Sequence, residues 1–334
     1  MDMHGTRRIV GGALLAILAV LALTACGGAA EQGGDQPPAG QASGTFPVTI
    51  THALGEATIP AAPTRIVALS YEQDLLSQIG ITTVGHNENA VTPGRPYPWE
   101  EGKVDFAGSE VVVEPSQEVN LEKIAALQPD LILATNLSTI DKFYPQLSQI
   151  APTVVYQKGW NKDTWQDNAA LIGKAVGKEA DVARVVQGVE KKISDTAAAI
   201  PGLQGKTYAT AYYYERGTFV VPTDSTTTMP QVYAALGLRI DPEIAANVKN
   251  RSLSAEQIGL LDVDYLSLSF ANADLRSQLF ADPLFANLDV VKQQRYFESD
   301  EAGGVAENYP TVLNIPWTID RQLDVLKKVG AATG

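Results

Sequence analysis

A chain of 334 residues with 45% hydrophobic and 19% charged side chains has ordinary globular composition and is long enough for two medium domains, each with its own core. Its formal charge of −13 argues against a nucleic-acid partner, because a phosphate backbone is met by a basic surface. One cysteine excludes an internal disulfide.

The chain opens on a short basic segment (His4, Arg7, Arg8), an apolar run over residues 9–23 and the tetrad Leu23-Thr24-Ala25-Cys26. An apolar run of roughly 15 residues is short for a bilayer span, and small residues follow it, so residues 1–25 are expected to be a cleaved secretion signal. The tetrad resembles a bacterial lipobox, which implies cleavage before Cys26 and a lipid on that cysteine. Residues 26–45 are rich in Gly, Gln, Ala and Pro. They cannot bury enough apolar surface to fold, and read as a flexible tether. Loss of residues 1–25 leaves 23 basic and 37 acidic side chains, a formal charge of about −14, which reads as a solubility device rather than a binding signal.

Residues 46–60 alternate around Leu54-Gly55 and predict a short hairpin. A strand at 65–69, an amphipathic helix at 72–79 stopped by Gly80, and a strand at 83–85 follow. Next comes NLEKIAALQPDLIL (120–133), a phrase echoed by SAEQIGLLDVDYLS (254–267). Each copy offers an N-cap (Asn120 or Ser254), a glutamate in the first helical turn (Glu122 or Glu256), an apolar pair, and an acid (Asp130 or Asp264) before a strand. A repeat this far apart points to two similar lobes rather than a solenoid. A helix at 141–150 and a strand at 153–156 complete an alternating βα lobe of the kind that builds a mostly parallel sheet.

Residues 163–200 break the alternation. Beyond a stop at Gly177, the apolar positions Val182, Val185, Val186, Val189 and Ile193 recur at helical spacing as far as Pro201. They predict one helix over 178–199, roughly 30 Å long at 1.5 Å per residue. The pattern restarts with a strand at 206–214, a helix at 229–236, the second copy of the phrase and a terminal helix at 318–329. The expected architecture is α/β: an N-terminal lobe over 46–177 and a C-terminal lobe over 201–334, flanking a linking helix at 178–200.

Three common catalytic signatures are missing: Gly-x-Ser-x-Gly, the full Gly-x-x-x-x-Gly-Lys-Ser/Thr phosphate loop, since Gly205-Lys206-Thr207 lacks the leading glycine, and His-Glu-x-x-His. Their absence disfavours an enzyme. Of the three histidines, His4 leaves with the signal, and His52 and His86 are isolated in sequence, so no direct metal site and no intrinsic cofactor are expected.

The run PTRIVALS (63–70), the two copies of the phrase and the mid-chain helix resemble the helical-backbone class of ABC-transporter substrate-binding proteins, which carry ferric siderophores, haem or cobalamin. The likeness covers residues 46–329 and is weak in the loops. It implies two Rossmann-like lobes joined by a single long α-helix, with the ligand cleft between them and a small closure motion. It also implies a monomer, lipid-anchored at the outer face of the bacterial cytoplasmic membrane, that serves an ABC permease and its ATPase. In that class a glutamate on each lobe docks on the permease, and the matching positions are Glu122 and Glu256. A carboxylate in a first helical turn also gains about 0.3–1 kcal/mol from the helix dipole, so it is the pairing at equivalent positions that favours docking.

Open α/β sheets place their ligands outside the carboxyl ends of the strands. That rule selects Tyr71, Arg95, Tyr97, Trp99, Asn136 and Trp160 in the first lobe, and Tyr214, Arg216, Phe270, Arg276 and Tyr309 in the second. Aromatic walls with arginine forks suit a large oxygen-rich iron chelate. Tyr212, Tyr213 and Trp165 read instead as packing residues. Catecholate-binding relatives gather arginines, one of them after the strand that here ends Ala134-Thr135-Asn136-Leu137, and this chain has none there. The resemblance therefore implies a less anionic ferric siderophore, of hydroxamate or mixed type. Cobalamin or haem in the same role, or a surface lipoprotein or enzyme reusing the fold, are the alternatives. Neither remaining histidine lies in a predicted cleft loop, which argues against haem.

Overall fold

The structure is a computed structural model that describes residues 44–332; Cys26 and the rest of residues 1–43 lie outside it. The description begins with an antiparallel hairpin, Val48–His52 against Gly55–Ile59, which turns Ile50, Ala57 and Ile59 inward.

The first sheet is five-stranded and wholly parallel, in the order Glu110–Val113, Gly85–Asn87, Ile66–Ala68, Leu131–Ala134, Thr153–Val155. Its three middle-to-late strands, IVA, LILA and TVV, are buried throughout. Continuous burial explains why they read as unbroken apolar runs rather than as alternating ones. The second sheet centres on Thr207–Glu215, which pairs in parallel with Tyr265–Phe270, itself parallel to Tyr296–Glu298. On its other edge Thr207–Glu215 holds the short parallel strand Arg239–Ile240 near its start and the antiparallel Thr218–Val220 near its end, with Ser252–Ser254 outside that. In both sheets the first strand is central and the order reverses beside the strand of the repeated phrase. The α/β class and its two-lobed plan are borne out.

The two copies of the phrase differ in how they wind. Asn120 caps the α-helix Leu121–Ala126, accepting from the Lys123 backbone N–H at 2.9 Å. The second copy forms a 3-10 turn, Ala255–Leu261, with Gln257 off the helical path and no side-chain cap from Ser254. Ser254 is already committed to the strand paired with Thr218–Val220, and Gly259 weakens the turn. The conserved part of the phrase is its acid. Asp130 accepts from Thr64 N, Thr64 Oγ1 and Arg65 N at 2.7, 2.9 and 2.8 Å; Asp264 accepts from Thr207 N, Thr207 Oγ1 and Lys206 Nζ at 2.9, 3.2 and 3.3 Å. Each acid fastens the start of its lobe's central strand.

The helix Trp165–Val176 starts on a capping box between Thr164 and Asp167 and stops at Gly177, whose φ of 66° is the left-handed value a glycine adopts without strain. The 21-residue helix Glu179–Ala199 follows. Buried Lys178, just before it, reaches across to the carbonyl of Ile79 at 2.8 Å. One apolar core runs from Leu76 and Trp99 through Val182 and Ile193 to Tyr233 and Ile319, so the helix is packed from both sides. Separate cores lie under the outer faces of the two sheets, around Ile124 and Leu147 and around Leu261 and Phe285.

A second crossing between the lobes was not anticipated. The segment before the last helix, Asn314–Ala331, and that helix's first turn reach back to the N-terminal lobe. Tyr309 lies 5.3 Å from Tyr71 and Trp317 lies 5.2 Å from Trp99, ring centre to ring centre; Thr311 Oγ1 donates to Asp74 Oδ2 at 2.5 Å.

A candidate ligand cleft between the lobes

The first sheet's order reverses between Ile66–Ala68 and Leu131–Ala134, so the loops leaving these two strands diverge and open a crevice. A single carboxylate ties the loops together. Glu72 Oε1 accepts from Thr135 N, Thr135 Oγ1 and Ser70 Oγ at 2.5, 2.8 and 2.8 Å, and Oε2 accepts from Ser70 N at 2.8 Å. Burying this charge is tolerable because four donors replace its water. Asn136 N completes the knot by donating to Ser70 Oγ at 2.9 Å.

Tyr71 adopts φ 72°, a strained value for a large side chain, and the bend carries its ring over the crevice beside Tyr309. Burial pushes its phenol far above the usual range, so it stays protonated and can donate. Trp165, Asn168 and Ile172 from the preceding helix, with Tyr309–Val312 from the other lobe, close a floor that encloses about 50 Å³. That space takes a few water-sized groups and is too small for a large ligand.

Three large side chains near the carboxyl ends of strands are exposed: Trp160 at 41%, Tyr212 at 41% and Tyr214 at 39%. Tyr212 and Tyr214 are two apart on one strand and face the same way, with ring centres 6.3 Å apart, while Tyr213 turns into the core against Phe219. Tyr212, read from sequence as packing, is exposed and shares a face with Tyr214; strict strand alternation is the signal that finds it.

The remaining expected residues separate. Tyr71, Asn136 and Tyr309 meet at the floor. Arg95 and Arg216 are exposed and pair with no acid among the described residues. Arg276 is not free: its guanidinium clamps Glu298 at 2.5 and 2.9 Å and lies over the Phe280 ring. Phe270 is paired with Tyr213 and shares its face of the sheet, so it packs toward Phe280 rather than beside Tyr212. Trp99 is fully buried and Tyr97 nearly so, stacked at 4.5 Å with 8° between planes; Trp317 of the other lobe covers Trp99, so the expected ligand wall is a core pair. Glu122 and Glu256 are exposed, and neither carboxylate has a partner among the described residues.

Below the floor lies a carboxyl pair that sequence reasoning missed. Asp74 is 0% and Glu100 2% exposed. Glu100 accepts from Tyr97 N at 2.8 Å and Gln73 Nε2 at 3.0 Å. Burial first, and then the neighbouring Glu100, hold the Asp74 carboxyl well above its usual range; burial raises Glu100 too. Both are sealed from the crevice, so they hold structure and reach no substrate. Among the described residues no group of three His, Cys, Asp or Glu side chains could hold a metal ion.

Residues 66–302 match the family model described as "Periplasmic binding protein". The chain belongs to that family. This periplasmic binding protein is 29% identical to the Bacillus subtilis protein named "Probable siderophore-binding lipoprotein YfiY", across 88% of the chain and 93% of the relative. It is also 29% identical to the "Iron(3+)-hydroxamate-binding protein YxeB" of the same organism, across 93% and 92%. A solved periplasmic solute binding protein of Mycobacterium smegmatis superimposes with a TM-score of 0.73 at 27% identity, covering 85% of the chain and 99% of that structure.

Proposed function

We propose that this periplasmic binding protein captures a ferric siderophore of hydroxamate or mixed type and hands it to an ABC permease driven by its ATPase, with no covalent step. Two relatives matched over nearly their whole length are named for siderophore or ferric hydroxamate binding. The observation that carries the cargo class is the charge of the cleft. Its floor is lined by hydroxyls, carboxamides, aromatic rings and one carboxylate already saturated by donors, and by no cation. Of the expected arginines, Arg276 is neutralised by Glu298, leaving Arg95 and Arg216. A ferric tris-catecholate brings three negative charges that such a site cannot compensate, whereas a ferric tris-hydroxamate is neutral and needs apolar walls and hydrogen bonds. Cys26 supplies the lipid anchor at the outer face of the cytoplasmic membrane, the protein acts as a monomer, and exposed Glu122 and Glu256 dock on the permease.

Tryptophan fluorescence tests the cargo, because Trp160 is an exposed indole on the loop after Thr153–Val155, where this reading puts a ligand wall. Titration with ferric hydroxamates is expected to give saturable quenching that Trp160→Phe largely removes. Quenching by ferric catecholates, haem or cobalamin alone would reassign the cargo, and no response to any of them would end the transport reading.

A further inference from the structure

Two side chains on the cleft floor are left unfinished. Asn136 projects from the loop after Leu131–Ala134 and Asn168 from the helix Trp165–Val176, and both line the 50 Å³ space beside Tyr71 and Tyr309. The Oδ1 atom of each is buried and has no hydrogen-bond partner. Buried polar atoms are nearly always paired, so two open carboxamides on one small cavity mark a place where a partner is meant to arrive. Water can fill the space, but the rest of the wall narrows what else suits it: Leu75 and Ile172 are apolar, Glu72 is saturated, and no cation is present.

Resting on the ferric-hydroxamate reading above, we infer that this cavity is a subsite for a secondary amide in the spacer of the siderophore, separate from the place where the iron centre lies. A carboxamide offers one acceptor oxygen and a donor NH2, and turning about Cβ–Cγ exchanges which end faces the cavity. A –CO–NH– group is the one common spacer element that satisfies a carboxamide in either orientation. The volume admits such a short planar segment and excludes the hexadentate iron centre. The cavity thus selects among hydroxamates by what joins their chelating groups, while the exposed aromatic side chains hold the complex.

The test pairs protein and ligand changes. Wild type and Asn168→Leu, with Asn136→Leu as a second variant, are titrated with a linear ferric trihydroxamate carrying amide spacers and with its analogue in which the amides are esters. Wild type is expected to favour the amide form by about tenfold, the size of one net hydrogen bond, and each variant to bind both forms alike. Equal binding by wild type, or discrimination that survives both substitutions, overturns the subsite. Wild type binding neither complex overturns the ferric-hydroxamate reading itself, a separate outcome.

Discussion

Trp99 and Trp160 occupy turn-rich loops of similar composition and have opposite fates. Trp99 lies under Trp317, stacked on Tyr97, and Trp160 stands in solvent. Nothing near Trp99 in sequence announces its cover, because the covering residue comes from the far end of the chain. Tyr212 carried a usable signal that the packing reading passed over: alternation along one strand puts it on the face of Tyr214 and opposite Tyr213. Trp99→Ala is expected to cost roughly 3–5 kcal/mol in urea unfolding, because it empties a filled site between lobes. Trp160→Ala should change stability by less than about 0.5 kcal/mol, as an exposed substitution does. Unequal losses in that order separate a core indole from an exposed indole, and equal losses contradict the assignment.

At the scale of elements, the repeated phrase was read correctly as two lobes but incorrectly as two equal helices. Helical pattern alone does not reveal that Ser254 is already pledged to a strand. The function of the acid was also hidden, because its partners, Thr64 and Thr207, lie far away in sequence. Asp264→Ala is expected to lower stability by about 1–3 kcal/mol, since the half-buried Thr207 donors lose their acceptor, and Asp130→Ala by about 1 kcal/mol, since its donors on Thr64 and Arg65 are exposed and water can replace the carboxylate. The caps should differ. Asn120→Ala should cost about 1 kcal/mol, whereas Ser254→Ala, which removes no cap bond, should cost a few tenths; equilibrium unfolding of the two variants side by side distinguishes them.

For the whole molecule, the buried acids set how stability follows pH. Glu307 accepts from Ser267 and Gln322. Burial raises its carboxyl from 4.5 to about 7 and Asp300 adds to the rise, while Ser267, Ser299 and Arg321 pull it back. The folded chain therefore keeps a proton that the unfolded chain has already lost, so this contribution is complete below 4.5, declines as pH rises toward about 7, and is gone above. Asp74 and Glu100 slope the same way. Thermal midpoints measured across that range should fall for wild type and fall less for Glu307→Gln; parallel profiles would remove Glu307 from the account. None of this was legible, since the burial of Asp74 and Glu100 and the partial burial of Glu307 are decided by how helices close over them.

The second crossing, through Tyr309, Thr311 and Trp317, changes what kind of joint this protein has. A lone rod between two bodies leaves them free to swing in any direction and to twist. A second point of attachment, with the Lys162–Asp224 ion pair and the bond from Thr228 Oγ1 to the Asp163 carbonyl as further ties, removes most of those freedoms. Small-angle scattering of empty and loaded protein should accordingly give nearly the same radius of gyration. On the docking proposed above, a transporter holding Glu122 and Glu256 meets the same span in either state. News of cargo has to come from the cargo's own surface in the cleft mouth, not from the distance between the two grips.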